Sequence, residues 1–161
     1  MTLLRQPDIG YIPTPHNVTR SLLDFAKITP SDILYDLGSG DGRILIEAAK
    51  QWETRGVGID IDPKRIQQAQ ENAETAGVDN LLEFRQEDLF KSDFREATVV
   101  FIYLLPHLNL RLRSRLQMQL KSGSRIISKD FDMGDWPPLH TLSLPAKTED
   151  DEEVTLYYWQ V

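Results

Sequence analysis

Two kinds of apolar run alternate along this chain. Ile33 to Leu37, Gly56 to Asp60, Leu81 to Phe84 or Arg85, Thr98 to Leu105 and Arg125 to Ser128 are short and bounded by turn residues, as buried strands are. Between them, apolar residues recur at helical spacing. Val18, Leu22, Phe25 and Ala26 give a face to a helix from Pro15 to Ile28, with Thr14 as its cap. Ile44, Leu45, Ile46, Ala48 and Ala49 do so for a helix from Asp41 to about Gln51. Pro63 opens a third, carrying Ile66, Ala69 and Ala73, which stops at Gly77. Leu108, Leu112, Leu116 and Leu120 form the stripe of a fourth. Two more strand-like pieces, 141–144 and 154–161, follow with no helix between them, only the acidic loop 149–153.

Alternating strand and helix implies an α/β fold: an open, mostly parallel sheet with right-handed crossovers and helices on both faces. The unbroken run Thr98 to Leu105 suits a central strand buried on both sides. The last two strands imply an antiparallel hairpin at one edge. Ligands of such sheets sit beyond the carboxyl ends of the strands, where strand order reverses. Chemistry at the ends of the first four strands should therefore converge.

The first strand runs straight into Asp36-Leu37-Gly38-Ser39-Gly40-Asp41-Gly42-Arg43 and then into a helical pattern. A glycine turn of this kind brings backbone N–H groups and a helix N-terminus near a nucleotide-like ligand. Asp60 ends the second strand about 20 residues on, the spacing of a carboxylate that meets ribose hydroxyls. The dinucleotide fingerprint Gly-x-Gly-x-x-Gly is not met, because Arg43 holds its third glycine position and Gly42 falls one place early. Asp36 would repel a pyrophosphate and attract a cationic group. The residues thus favour S-adenosylmethionine over a nicotinamide dinucleotide, with Asp36, Gly38, Ser39, Gly40 and Asp60 as candidate contacts. Asp62, before Pro63, reads as a helix cap.

Composition narrows the picture. The 161 residues fit one domain, 1–161, with a lead and helix over 1–30 covering the site. The absence of cysteine excludes disulfides and thiolate metal sites, and His16, His107 and His140 lack ligand spacing. Asp130, Asp132 and Asp135 resemble a fragment of a calcium loop with the wrong glycine and glutamate spacing, so no metal is expected. A net charge of −7 disfavours a nucleic-acid partner. No run is long enough to span a membrane and the start is not a signal peptide, which points to a cytoplasmic protein. Arg111, Arg113 and Arg115 read as a solvated helix face, and Trp136-Pro137-Pro138 as either a turn packed on the sheet or a substrate rim.

The glycine loop resembles motif I of class I methyltransferases, and Val57-Gly58-Ile59-Asp60 resembles the segment that follows it. The wider set is more specific: Tyr11-Ile-Pro-Thr-Pro, Tyr35 to Ile44, Phe101-Ile-Tyr-Leu-Leu-Pro and Phe131-Asp-Met-Gly-Asp-Trp-Pro-Pro. Together they resemble the bacterial relatives of the lysine methyltransferases that modify the mitochondrial ATP synthase c-ring protein and the adenine nucleotide translocase, and distantly the Dot1-type domain. The resemblance implies a single-domain, Rossmann-like seven-strand sheet of order 3-2-1-4-5-7-6. It implies Asp88 at the adenine amine, Ile61 on the adenine face, and Tyr11, Pro13 and Thr14 in a lead folded over the cofactor. The chain lacks the Asn/Asp-Pro-Pro-Tyr element of DNA and glutamine N-methyltransferases, and Tyr103 stands there instead as a candidate lining of the methyl-transfer channel. It also lacks the targeting segment of the mitochondrial members, so their substrates do not carry over.

The expected function is methyl transfer from S-adenosylmethionine to a protein lysine. The alternatives are a small-molecule methyltransferase on the same fold and a non-catalytic adenosyl-ligand binding module. A sulfonium is already an activated donor, so positioning, worth about 7–11 kcal/mol, carries more of the rate than a general base.

Overall fold

The computed structural model describes residues 14–146 and 152–161. Helix α1 (His16–Phe25) leads into β1 (Ile33–Leu37), α2 (Arg43–Trp52), β2 (Arg55–Asp60), α3 (Pro63–Thr75) and β3 (Leu82–Gln86). Then follow β4 (Val99–Ile102), α4 (Pro106–Gln119), β5 (Arg125–Lys129), β6 (His140–Leu144) and β7 (Val154–Gln160). The seven strands form one sheet of order β3-β2-β1-β4-β5-β7-β6. All pairings are parallel except the β5–β7 and β6–β7 ladders. The order reverses between β1 and β4, which opens a crevice at their carboxyl ends.

Each face of the sheet has its own apolar layer. Leu108, Leu112 and Leu116 of α4 pack on Tyr35, Leu37, Val100, Ile102, Ile126 and Trp159. On the other face, Leu22 and Leu23 of α1 and Ile44, Leu45 and Ala48 of α2 cover Leu34, Val99, Phe101, Ile127, Leu156 and Tyr158. The glycines of β2 let this second layer close. A Cβ on Gly56 would lie 2.7 Å from Leu45 Cδ2, and one on Gly58 would lie 2.7 Å from both Phe84 Cδ1 and Ser39 Oγ. The Trp136 turn is packed on the sheet: Trp159 Nε1 donates to Trp136 O at 2.9 Å.

Several boundaries differ from the sequence reading, each for a local reason. Helix α1 stops at Phe25 because Lys27 turns into the left-handed region at φ 58°. Its N-cap is Pro15, with no side-chain capping bond, so Thr14 does not cap it. Strand β4 ends at Ile102, since Leu105 must adopt the extended geometry that lets Pro106 open α4. The arginines of α4 are engaged rather than merely solvated. Arg111 lies over the Phe90 ring, Arg113 reaches Met133 O and Asp135, and Arg115 donates to Ser92 O. The three acids of the 130–135 loop serve separate partners, Asp130 accepting from Thr155 N, Asp132 from Gly134 N and Asp135 from Arg113.

At the amino ends of the strands, a buried carboxylate ties the layers together. Asp32 accepts from Thr29 N and Oγ1, Thr98 Oγ1 and Arg125 Nη2, the last at 2.7 Å. Arg125 Nε also donates to Ala26 O at the end of α1. Burial pushes the Asp32 carboxyl up, but the bonds from Thr98, Arg125 and Thr29 outweigh it and hold it below the ordinary aspartate value. Asp32→Ala strands Arg125 and should cost about 3–5 kcal/mol at neutral pH, measured by urea unfolding. A carboxylate whose folded pKa is depressed contributes stability above its unfolded value, and that contribution is lost as pH falls through the folded value. The gap between parent and variant should therefore narrow below about pH 4.

Candidate functional site

Backbone sterics dictate the turn after β1. Gly38, Gly40 and Gly42 take φ values of 93°, 56° and 82°, which side chains with a Cβ resist. The end of β2 then holds the turn in place. Gly38 N and Ser39 N both donate to Ile59 O, at 2.7 and 3.1 Å, and Gly40 N donates to Asp60 Oδ2 at 2.9 Å. Asp60 Oδ1 accepts from Asp62 N at 2.9 Å. Gly42 N donates to Ser39 O, and Arg43 N to Asp41 Oδ1.

The turn is therefore a different device from the one its glycines suggest. The expected N–H groups of Gly38, Ser39 and Gly40 are engaged within the protein. A pyrophosphate would need such donors. The turn supplies clearance instead: nothing stands within 4 Å of a Cβ placed on Gly38. Gly42 also restores the close packing that Arg43 seemed to forfeit. A Cβ there would come to 3.0 Å from Phe84 Cζ and 3.1 Å from Ala69 Cβ. Ser39 turns its hydroxyl inward against Gly58, where that oxygen is buried without a hydrogen-bond partner among the described residues.

Asp36 is the most unusual group of the site. It is 2% exposed and, among the described residues, receives no hydrogen bond at its carboxylate. Burial, then the charges of Asp60 and Asp41, push its carboxyl up to about 8. Such a group is a well for a cation. Ile61 is buried directly after β2, and Asp62 caps α3 through Lys64 N, as its sequence context suggests. Asp88 caps the short turn Leu89–Lys91 by accepting from Phe90 N at 3.0 Å. Thr14 is buried, and its carbonyl accepts from Arg43 Nη1 at 3.0 Å. Tyr11 and Pro13 lie outside the described residues.

Tyr103 follows β4 on the same face as Asp36, since Asp36 pairs with Phe101 and side chains alternate along a strand. Its ring stacks on Phe131 at 6.2 Å and 6°. Lys129 Nζ sits 4.3 Å from the Tyr103 ring centroid.

Three residues here escape the sequence reading. Arg43 forks onto Asp41 and reaches Thr14 O, and its only signal is its place where a glycine is expected. Asn72 of α3 donates to Asp41 O at 3.0 Å, and nothing in a helical pattern announces that. Lys129 lies one residue beyond the fifth strand as its apolar pattern bounds it.

Comparisons with known proteins agree with this geometry. Residues 36–140 match the family described as the ANTKMT methyltransferase domain. A protein-lysine N-methyltransferase of Saccharolobus islandicus is 40% identical over 139 residues, 86% of each chain. A human lysine N-methyltransferase named for the ATP synthase c-ring protein is 36% identical over 85% of this chain and 58% of its own length. A solved structure from Salinibacter ruber, described as an RNA methyltransferase in complex with S-adenosyl-L-homocysteine, superposes with a TM-score of 0.87. It is 49% identical and covers 93% of this chain and 94% of its own. The chain belongs to the ANTKMT methyltransferase family, and its sheet order is the one that resemblance implied.

Asp36 makes a clear prediction for the ligand-free protein. Its folded pKa of about 8 lies above the unfolded value, so between about pH 4 and 8 the native state binds a proton the unfolded chain has lost. Stability is then full below the unfolded value and falls as pH rises through that window, with a slope approaching about 1.4 kcal/mol per unit. Asp36→Asn should remove this slope and be the more stable form above pH 8. Urea unfolding across a pH series checks it, and coincident slopes would show Asp36 ionised throughout.

Proposed function

We propose that this methyltransferase moves the methyl group of S-adenosylmethionine to the side-chain amine of a protein lysine, with residues 1–161 as one catalytic unit. The acceptor assignment rests on the identity, across nearly the whole of both chains, to the Saccharolobus protein-lysine N-methyltransferase. The bound cofactor supplies a methyl group already activated by a positively charged sulfur.

The residues present fit that group. Asp36 offers a buried carboxyl to a cationic amine, whose arrival would draw the Asp36 proton off. Asp60 gives two hydrogen bonds to the protein and keeps acceptor capacity for ribose hydroxyls. Asp88, fixed by its capping bond just after β3, presents its carboxylate to the adenine amine, and Ile61 offers an apolar surface to the ring. The open side of Gly38 and Gly40 gives the ligand its closest approach, and Ser39 takes part through the turn rather than its inward hydroxyl. Thr14 is placed by Arg43 to close over the site, with Tyr11 and Pro13 preceding it. Tyr103 forms a rigid wall on the acceptor side, braced by Phe131. What these groups do is bind and orient; near-attack placement is the principal contribution they make to rate.

The Salinibacter relative keeps an RNA acceptor as the second reading. A net charge of −7 works against it, because a polyphosphate chain is repelled at long range and must be met by basic side chains at short range. Among the described residues no helix is long and apolar enough to cross a membrane.

Labelled S-adenosylmethionine incubated with the protein and a lysate of its host separates these readings. Label should survive ribonuclease, be lost to protease and appear as methyl-lysine on hydrolysis. Label in ribonuclease-sensitive material would move the assignment to RNA. Label only in small metabolites would move it to the small-molecule class. Tyr103→Ala should lower turnover at least about tenfold, near 1.4 kcal/mol of transition-state placement, while leaving S-adenosylhomocysteine affinity nearly unchanged.

A further inference from the structure

A buried amine without a polar partner stands on the acceptor side of this sheet face. Lys129 closes β5, is 5% exposed, and among the described residues makes neither a hydrogen bond nor an ion pair. Its cation meets the Tyr103 ring, 4.3 Å away. Ile102 pairs with Ser128, so Tyr103 and Lys129 occupy the next positions of neighbouring strands. Lys129 lies two strands from Asp36 and beyond it toward the carboxyl ends, about 12 Å by strand spacing and rise. It is therefore set apart from the acidic end of the crevice, with Tyr103 between.

The surroundings hold this amine in place. Ser128 Oγ donates to Phe131 O at 2.6 Å, and Asn109 Nδ2 donates to Phe131 O and Asp132 O at 3.2 and 3.1 Å. These bonds fix the turn whose Phe131 stacks on Tyr103. Among the described residues, the titratable groups that bear on Lys129 are Tyr103 on β4, its neighbour Asp130, and Glu152 just before β7. Burial pushes the Lys129 ammonium below the ordinary lysine value, and the charges of Asp130 and Glu152 oppose this only in part. Burial moves Tyr103 the other way, so its phenol stays neutral at ordinary pH.

We propose that Lys129 lines the acceptor end of the site and keeps the incoming lysine amine unprotonated, because two ammonium groups cannot share this enclosed space. The inference rests on the protein-lysine reading. Like charges brought together out of water titrate as a pair, and one of the two gives up its proton. The proton leaves the pair for water at the open edge, where Asp130 and Glu152 stand. The acceptor nitrogen keeps both electrons of its broken N–H bond and presents them as a lone pair. A cation at position 129 thus does the work that a general base would otherwise have to do. It also explains why a strand end facing a cationic substrate carries a lysine.

The test uses the full chain, with poly-L-lysine as the acceptor probe. In the first measurement, the Lys129 side chain is followed by NMR in the complex with S-adenosylhomocysteine, its signal assigned by its loss in Lys129→Met. It should titrate below an ordinary lysine, and lower still when poly-L-lysine is added. In the second, the pH profile of kcat/KM for poly-L-lysine methylation should rise about one pH unit later in Lys129→Met, making that variant about tenfold slower near neutral pH. Lys129→Arg, which keeps a cation but cannot lose a proton, should retain most of the parent profile. All three proteins should bind S-adenosylhomocysteine alike. Superimposable pH profiles, or a uniform loss of turnover with no shift, would overturn the role of Lys129 while leaving the lysine reading in place. A parent protein that binds S-adenosylhomocysteine but never methylates poly-L-lysine would overturn the lysine reading itself, and this inference with it.

Discussion

The site depends on how the turn after β1 is fastened to the end of β2. Ile59 O takes two N–H groups and Asp60 a third, so three consecutive residues of the turn are held from one neighbouring strand. That geometry requires positive φ at Gly38, Gly40 and Gly42, and it requires Gly58 to have no side chain, because Ser39 and Phe84 occupy the space. Helix α3 adds a fourth fastening through Asn72, and Arg43 carries the constraint outward to Thr14. Once the turn is fastened this way its donors are consumed, and the crevice has acidic side chains where a dinucleotide site has free amides. The preference for a cationic ligand follows from where the hydrogen bonds go.

Charge is then divided along one face of the sheet. Asp36, Asp60 and Asp41 make one end of the crevice acidic enough to hold Asp36 in its protonated form until a cation arrives. Lys129 makes the other end basic, over the ring of Tyr103. The two ends are separated by the width of two strands, too far for the groups to neutralise each other directly. At the opposite edge of the sheet the same kinds of charge do pair. Asp32 and Arg125 meet at 2.7 Å with Thr29 and Thr98 filling the remaining positions, and the result is a structural tie with no acceptor left over for a ligand. Pairing marks the amino ends as scaffold, and its absence marks the carboxyl ends as a site.

The alternation of runs, the glycine turn and the hairpin at the end are legible because each is a local rule: strand period, left-handed backbone, a connection too short for a helix. The seven strands stand where the pattern places them, within a few residues. Asp36 and Asp60 are legible for the same reason, since a strand end is a position in sequence as well as in space. What the pattern misjudges depends on neighbours remote in the chain. The turn's amides look free until Ile59 and Asp60 are seen to take them. Gly42 looks misplaced until Phe84 and Ala69 are seen behind it. Thr14 looks like a cap until Arg43 claims its carbonyl.

Sequence by itself thus determined the fold class, the sheet order by resemblance, and the acids that mark the cofactor end, because backbone sterics and hydrophobic period act within a few residues of where they are written. Only the tertiary structure decided which polar groups remain unsatisfied. That is a property of burial and of partners drawn from separate strands. It singles out the Asp36 carboxylate and the Lys129 amine among 25 acidic and 18 basic residues that look alike in the sequence.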